Sequence, residues 1–336
     1  MPDPQRFVPT PYRPAWWLPG AHAQTVGVRL IPRGRGVSYR RERIDTPDGD
    51  FLDLDFATVD GAPAGEDAPL CVVVHGLEGS SGSSYVLETC RALARRGIRA
   101  VAMNYRSCSG EPNRAARLYH AGETGDLAHV LAVLGGRFPR ARLLAIGFSL
   151  GANMLLKYLG ERGADAVLTA AAAVSIPFDL GMGADKLWRS FMGRRYTLHF
   201  VRKLQGKFAA KREQLSAACD AERVMAARSF REFDDAATAR IHGFRDAVHY
   251  YESQSCAQFL PGIRVPTLLL HAYDDPFVDE RAIPHDAIRA NPCLRAAFTK
   301  RGGHVGFIAG SPRDPAFWAE AEAARFLALQ AGTEPA

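Results

Sequence analysis

The sequence predicts an α/β protein with a mostly parallel central sheet, helices on both faces and a helical insertion over one end. Three observations carry this. Short apolar runs rich in β-formers alternate with helical patterns through most of the 336 residues, the mark of strands buried on both faces. The pentad Gly147-Phe148-Ser149-Leu150-Gly151 joins one such run to one such helix. Between about residues 177 and 259 the alternation gives way to helical periodicity alone.

Taken in order, residues 1–38 read as an N-terminal extension packing on the core. Tyr39 to Phe56 alternates and contains Pro47-Asp48-Gly49, which predicts an antiparallel hairpin at the sheet edge. Asp60 to Asp67 reads as a surface loop. Pro69 to His75 is a strand running into a glycine-rich loop. Ser84 to Arg96 is a helix with Val86, Leu87, Cys90, Leu93 and Ala94 on its apolar face, closed by Gly97 at the C′ position. Ile98 to Tyr105 is the next strand. Thr124 to Gly135 is a helix with Leu127, Val130, Leu131 and Leu134 on one face. The strand Ala141–Ile146 and the helix Ala152–Leu159 flank the pentad, and Val167 to Ile176 is a further strand. The insertion, 177–259, is aromatic and basic and reads as a cap over the C-terminal edge of the strands, where open α/β sheets bind ligands. Pro266 to His271 and Leu294 to Thr299 return to the core, which is assigned to 39–176 and 260–330.

A serine between two glycines at a strand-to-helix turn is chemically informative. The tight turn forces the serine into a strained conformation that projects its hydroxyl above the sheet. That hydroxyl needs a base, and the base needs an orienting acid. In folds built around such an elbow the chain order is serine, acid, histidine. Asp274-Asp275-Pro276-Phe277-Val278 follows the strand ending at His271, and His304 follows the next strand on a loop containing Gly302 and Gly303. Asp275 is the expected acid, two residues before an apolar pair, with Asp274 as the alternative. His75, His271 and His285 rival His304, and its place after the acid strand favours it. Two backbone donors are needed for a developing oxyanion. The expected pair is the amides of Leu150, at a helix N-terminus, and Leu77, within His75-Gly76-Leu77-Glu78-Gly79. His75 is expected to hold that loop by hydrogen bonding. Gly76, Phe148, Phe277, Trp188 and Phe191 are the expected substrate-contacting residues.

Composition bounds the alternatives. Apolar residues make up 47% and charged residues 23%, ordinary for a globular protein. No apolar run reaches the length of a membrane span, and residues 1–6 lack the apolar stretch of a signal peptide. The six cysteines, at 71, 90, 108, 219, 256 and 293, form no CxxC or metal-knuckle spacing. A reducing, cytoplasmic location is the expectation, with neither metal nor cofactor. The net charge of +6 comes without a helix-turn-helix, zinc-finger or RNA-binding signature, so nucleic acid is not an expected partner. Gly76-x-x-Gly79 lacks the spacing of a dinucleotide fingerprint.

The chain resembles the YheT-like branch of the α/β-hydrolases, whose eukaryotic members are ABHD-type esterases and lipases. The resemblance rests on Trp17 through Thr25, the His75–Gly79 loop, Asn104-Tyr105-Arg106-Ser107-Cys108-Ser109-Gly110, His120-Ala121-Gly122-Glu123-Thr124 and the segment Gly147 to Asn153. In the insertion it rests on Arg231 to Asp235, His242-Gly243-Phe244 and Tyr250-Tyr251. It implies an α/β-hydrolase fold, a triad of Ser149, Asp275 and His304, and hydrolysis of short- to medium-chain carboxylic esters or acylglycerols. Two departures, the alanines flanking His22 and Ser107 in place of a common glycine, leave the triad untouched but could reshape the pocket. The Asn104–Gly110 stretch has no derivable catalytic role and reads as a lock on neighbouring loops, with Glu78, Glu111 and Glu123 as candidate partners for Arg106.

Two further functions remain open on the sequence. An acyltransferase would form the same acyl-enzyme and pass it to an alcohol. A non-catalytic module would associate weakly with an anionic membrane surface through the nine lysines and arginines at 186, 189, 194, 195, 202, 203, 207, 211 and 212. Oligomeric state is not encoded legibly.

Overall fold

Eight strands form one sheet in the order β1-β2-β4-β3-β5-β6-β7-β8. They are β1 (Val37–Asp45), β2 (Phe51–Val59), β3 (Leu70–Val74), β4 (Arg99–Met103), β5 (Leu143–Phe148), β6 (Ala170–Val174), β7 (Thr267–Ala272) and β8 (Leu294–Thr299). The computed structural model describes residues 3–31, 33–60 and 65–333. Of the surface loop expected over 60–67, residues 61–64 lie outside the described residues. The β1–β2 hairpin is antiparallel and sits at the sheet edge, turning at Gly49 with φ +77°. From β4 through β8 every pairing is parallel.

Strand periodicity sorts side chains to two faces. Leu70, Val72 and Val74 of β3 enter one core, with α3 (Thr124–Arg137) and α4 (Leu150–Arg162) packed on it through Leu127, Leu131, Leu155 and Leu159. Cys71 and Val73 enter the other, which holds α2 (Ser84–Ala94) and the helix Trp318–Ala331 through Val86, Leu93, Phe326 and Leu327. Coverage on both sides leaves every residue of β3, β5, β6 and β7 buried, which is why those strands read as continuous apolar runs rather than alternations. All six cysteines are free thiols.

Between β6 and β7 the chain leaves the sheet. The two longest helices of this excursion are α5 (Leu180–Arg189) and α6 (Phe191–Ala210), and several shorter ones lead to Ala247–Gln254 and back through Cys256–Gly262. This cap has a small core of its own around Val201, Leu204, Phe208, Leu215, Val224 and Phe233.

Arg106 pairs with none of the three glutamates expected for it. Its guanidinium is buried against Asp48 and Asp50 of the hairpin turn and Asp126 of α3, at 2.8, 2.8 and 2.6 Å. The β2–β4 pairing carries the turn to this strand end, a proximity between distant segments that linear sequence does not display. Nearby, Asn104 donates to Asp53 O and Asp55 Oδ2 and accepts from the Ser81 amide. The stretch therefore ties the hairpin, β4 and the loop after β3 together.

Candidate active site

Ser149 has φ 52° and ψ −118°, a backbone conformation that side chains rarely adopt. The flanking glycines permit it. A Cβ on Gly147 would lie 2.4 Å from Gly151 O, and one on Gly151 2.4 Å from Val74 O. A side chain at either position would prevent the helix from approaching the strands. Gly76 faces the serine at a tight but less extreme distance, its virtual Cβ 3.2 Å from Ser149 Cβ.

His304 Nε2 stands 2.8 Å from Ser149 Oγ, and His304 Nδ1 stands 2.8 Å from Asp275 Oδ2. Asp275 is wholly buried, and its other oxygen accepts the Phe277 amide at 2.8 Å. Burial pushes this carboxyl up, but His304, His271 and the Phe277 amide together bring it below its ordinary range, so it is an anion facing the imidazole. Asp274 points elsewhere and accepts the Gly303 amide at 2.9 Å. Phe277 stacks on the His304 ring, with centroids 4.2 Å apart and planes at 16°. The rival histidines are otherwise engaged. His271 is buried in β7 and is held down to about 4 by that burial. His285 opens the short helix His285–Ala290 and lies against Tyr273 and Phe298.

The loop after β3 is held from several sides. His75 donates from Nδ1 to Gly76 O at 2.8 Å, and its Nε2 accepts the Tyr105 amide at 3.3 Å. Burial lowers its pKa to about 3, so it is uncharged. The Tyr85 hydroxyl accepts the Gly76 amide, and the Tyr119 hydroxyl accepts the Glu78 amide while donating to Glu78 Oε1 at 2.7 Å. Lys207 of the cap reaches the same carboxylate at 2.9 Å. Among the described residues, neither the Leu77 nor the Leu150 amide donates to another backbone carbonyl outside regular structure.

Sequence reasoning missed what the N-terminal segment does. Helix α1 (Gly20–Leu30) lies against the His304 loop. Thr25 Oγ1 accepts the His304 amide at 2.9 Å, and Gln24 Oε1 accepts the Ile308 amide at 2.8 Å. Gly303 and Gly306 have no room for a side chain there, since virtual Cβ atoms would sit 2.5 Å from Ala21 O and 2.9 Å from the Gln24 backbone. The signal was the Trp17–Thr25 motif, whose role needs the loop it touches. On the other side Lys186 of the cap donates to Asp275 O and Val278 O at 2.7 and 2.6 Å.

A cavity of about 630 Å³ opens at Ser149, between the sheet edge, α1 and the cap. Gly76, Leu77, Leu150 and Phe277 line it, as do Leu180, Leu187, Tyr196, Phe200, Leu204 and Tyr250. Three expected substrate contacts are corrected. Phe148 is wholly buried under the sheet with Tyr85 against it. Trp188 borders a separate shallow depression, and Phe191 is 68% exposed. Helical spacing shows which residues share a face, not which face turns to the cavity. Asp234 also lines the wall; burial raises its pKa to about 6, and it accepts hydroxyl protons from Thr238 and Tyr251.

His120, Glu123 and His242 bring ligand atoms within 4.8 Å of one another. Arg117 already pairs with Glu123. His120 Nδ1 accepts the Gly122 amide at 3.2 Å, which puts the ring proton on Nε2, facing Glu123 at 3.4 Å. The carboxylate is thus neutralised from within, and one of the two imidazoles offers no lone pair, a poor fit to a metal.

Such a fold, with a serine elbow facing a histidine and a buried acid, defines the class of the protein, and comparison with known proteins agrees. Residues 69–310 match the model of the alpha/beta hydrolase fold. Over 301 residues the chain is 39% identical to an Escherichia coli (strain K12) protein described as "Putative esterase YheT", covering 89% of this chain and 87% of that one. It is 32% identical over 302 residues to Phospholipase ABHD3 of Mus musculus, covering 89% and 74%. Among solved structures, the Pyrococcus furiosus esterase Pf2001 superposes with a TM-score of 0.55 over 96% of this chain and 97% of that one, at 16% identity, a likeness of fold. The chain belongs to the α/β-hydrolase family, in its YheT/ABHD branch of esterase- and lipase-like hydrolases. Among the described residues no helix is long and apolar enough to cross a membrane.

Proposed function

We propose that the protein is a carboxylic ester hydrolase that works through an acyl-enzyme on Ser149, with short- to medium-chain acyl esters or acylglycerols as substrates. The observation that carries this reading is the continuous hydrogen-bonded series Ser149–His304–Asp275, with both links at 2.8 Å. In the first step Ser149 Oγ attacks the ester carbonyl carbon while His304 Nε2 takes its proton. Asp275 holds the imidazole and offsets the charge it gains. The carbonyl oxygen becomes an alkoxide facing the Leu77 and Leu150 amides. The carbon–oxygen bond to the leaving group then breaks, and His304 returns the proton to the departing alcohol. Water, deprotonated by His304, releases the acid and restores the serine.

The substrate class rests on the cavity. Its volume suits a small ligand, and its aromatic and aliphatic walls suit an acyl chain. Relatives are named as an esterase, a phospholipase and, in Saccharomyces cerevisiae, a monoacylglycerol lipase. The test is turnover of p-nitrophenyl esters of increasing acyl length by the wild type and Ser149→Ala. Loss of the nucleophile is expected to lower kcat by at least about 10⁴-fold with the fold intact. Unchanged turnover would refute the reading. Added alcohol sorts hydrolysis from acyl transfer by the share of new ester among the products.

A further inference from the structure

We propose that the mouth of the active-site cavity docks on an anionic lipid surface, through the exposed side of the cap helix α6 (Phe191–Ala210) and the facing side of α1. From residue 186 to residue 212 the chain carries nine lysines and arginines and no aspartate or glutamate. Folding divides these cations into two groups. Lys186, Lys207 and Lys211 turn inward, onto the carbonyls of Asp275 and Val278, onto Glu78, and onto the carbonyls of Asn113 and Arg117. Arg189, Arg194, Arg195, Arg202, Lys203 and Arg212 are exposed, and none forms an ion pair among the described residues.

The arrangement follows helix geometry. Phe191, Arg194, Arg195 and Arg202 recur at the three-, four- and seven-residue spacings that place side chains along one side of α6, and Lys203 stands about 100° further round the helix from Arg202. Lys203, next to Arg202 and on the side turned to the cavity, is both exposed and a lining residue, so one cation of this helix stands at the mouth itself. Across the mouth, His22 of α1 meets Tyr196 of α6 at 3.0 Å. On α1, Val26 lines the cavity and is 38% exposed, and Leu30, one turn on, is 76% exposed. Phe191 is 68% exposed at the start of the stripe. Apolar side chains unshielded at the rim, with unpaired cations beside them, match the chemistry of an interface between anionic headgroups and acyl chains. A polyanion without an apolar layer would leave the aliphatic side chains of Val26 and Leu30 without a partner.

Docking is read without turnover, so its failure is separate from failure of the esterase reading. Ser149→Ala protein is sedimented with sucrose-loaded phosphatidylcholine vesicles containing either no anionic lipid or about 30% phosphatidylglycerol. Binding is expected to the anionic vesicles only, and to fall as salt shortens the screening length from about 10 Å at 0.1 M to about 3 Å at 1 M. Each basic side chain near such a surface contributes roughly fivefold, so Arg194→Glu/Arg195→Glu/Arg202→Glu is expected to weaken partitioning by at least about 100-fold. Leu30→Ser, which removes the apolar side chain without changing charge, is expected to weaken it with the salt dependence unchanged. In the otherwise wild-type protein these substitutions should leave turnover of a water-soluble aryl ester unchanged, which checks folding. Three results would overturn the proposal: no binding to anionic vesicles at low salt, equal binding of the triple variant, or Leu30→Ser without effect while a single-stranded RNA binds more tightly than the vesicles.

Discussion

The C-terminal edge of the sheet and the cap above it solve the same problem, placing side chains around one cavity, by different means. At the edge, position is dictated by backbone contact. Gly147 and Gly151 leave no room for a Cβ and Gly76 little, Ser149 is forced to φ 52°, and Asp275 and His304 follow adjacent parallel strands. In the cap, position depends on long side chains reaching back: Lys186 to the acid loop, Lys207 to Glu78 and Lys211 to loop carbonyls. Such contacts can be exchanged without rebuilding the backbone, so the edge is suited to hold the chemistry fixed and the cap to vary what enters.

The largest expected effect separates two neighbouring acids at the edge. Asp275→Asn removes the anion facing His304 Nδ1 and favours the wrong tautomer, so kcat should fall by about 10⁴-fold, as in serine proteases. Asp274→Asn keeps an oxygen acceptor for the Gly303 amide and removes only the charge, so kcat should fall far less. Equal losses in steady-state assays would break the assignment.

Glycines give a direct contrast between the regions. Gly151→Ala sets a methyl against Val74 O and is expected to destabilise by about 3 kcal/mol or more in urea denaturation. Gly206→Ala in α6 meets nothing within 4 Å and should stabilise by about 0.5–1 kcal/mol. Similar effects at both would erase the distinction.

Acid should act on the regions with opposite sign. His75 and His271, beneath the edge, are held by burial at about 3 and about 4, against 6.5 unfolded. The stability tied to keeping them neutral is present above pH 6.5 and lost as pH falls through the folded values. Asp234 in the cap is raised from 3.8 to about 6, so its share is lost as pH rises through 6 and regained on acidification. The Tm of the wild type should fall between pH 6.5 and 4.5, and that of Asp234→Asn should fall more steeply. A shallower slope in the variant would contradict the sign.

The same contrast explains what was legible in the sequence. The convergence of Ser149, Asp275 and His304 on one edge of a mostly parallel sheet could be read because a serine between two glycines after a buried strand leaves few alternatives, and because parallel strands put successive strand ends on one edge. Helical periodicity groups residues by face without saying what each face meets, so it could not show that Trp188 and Phe191 lie outside the pocket, and Phe148, at the end of β5, turns into the core rather than with its neighbour Ser149. Arg106 and Thr25 act across distant segments, on Asp48, Asp50 and Asp126 and on the His304 loop respectively. Only the folded chain brings those partners together.

The central claim is that Ser149 is a nucleophile activated by His304. Reaction with a fluorophosphonate, followed by peptide mapping, tests it most directly. One label per chain on Ser149, lost in His304→Ala while the fold is retained, is the predicted result. No label on Ser149, or labelling of His304→Ala at the wild-type rate, would contradict the account.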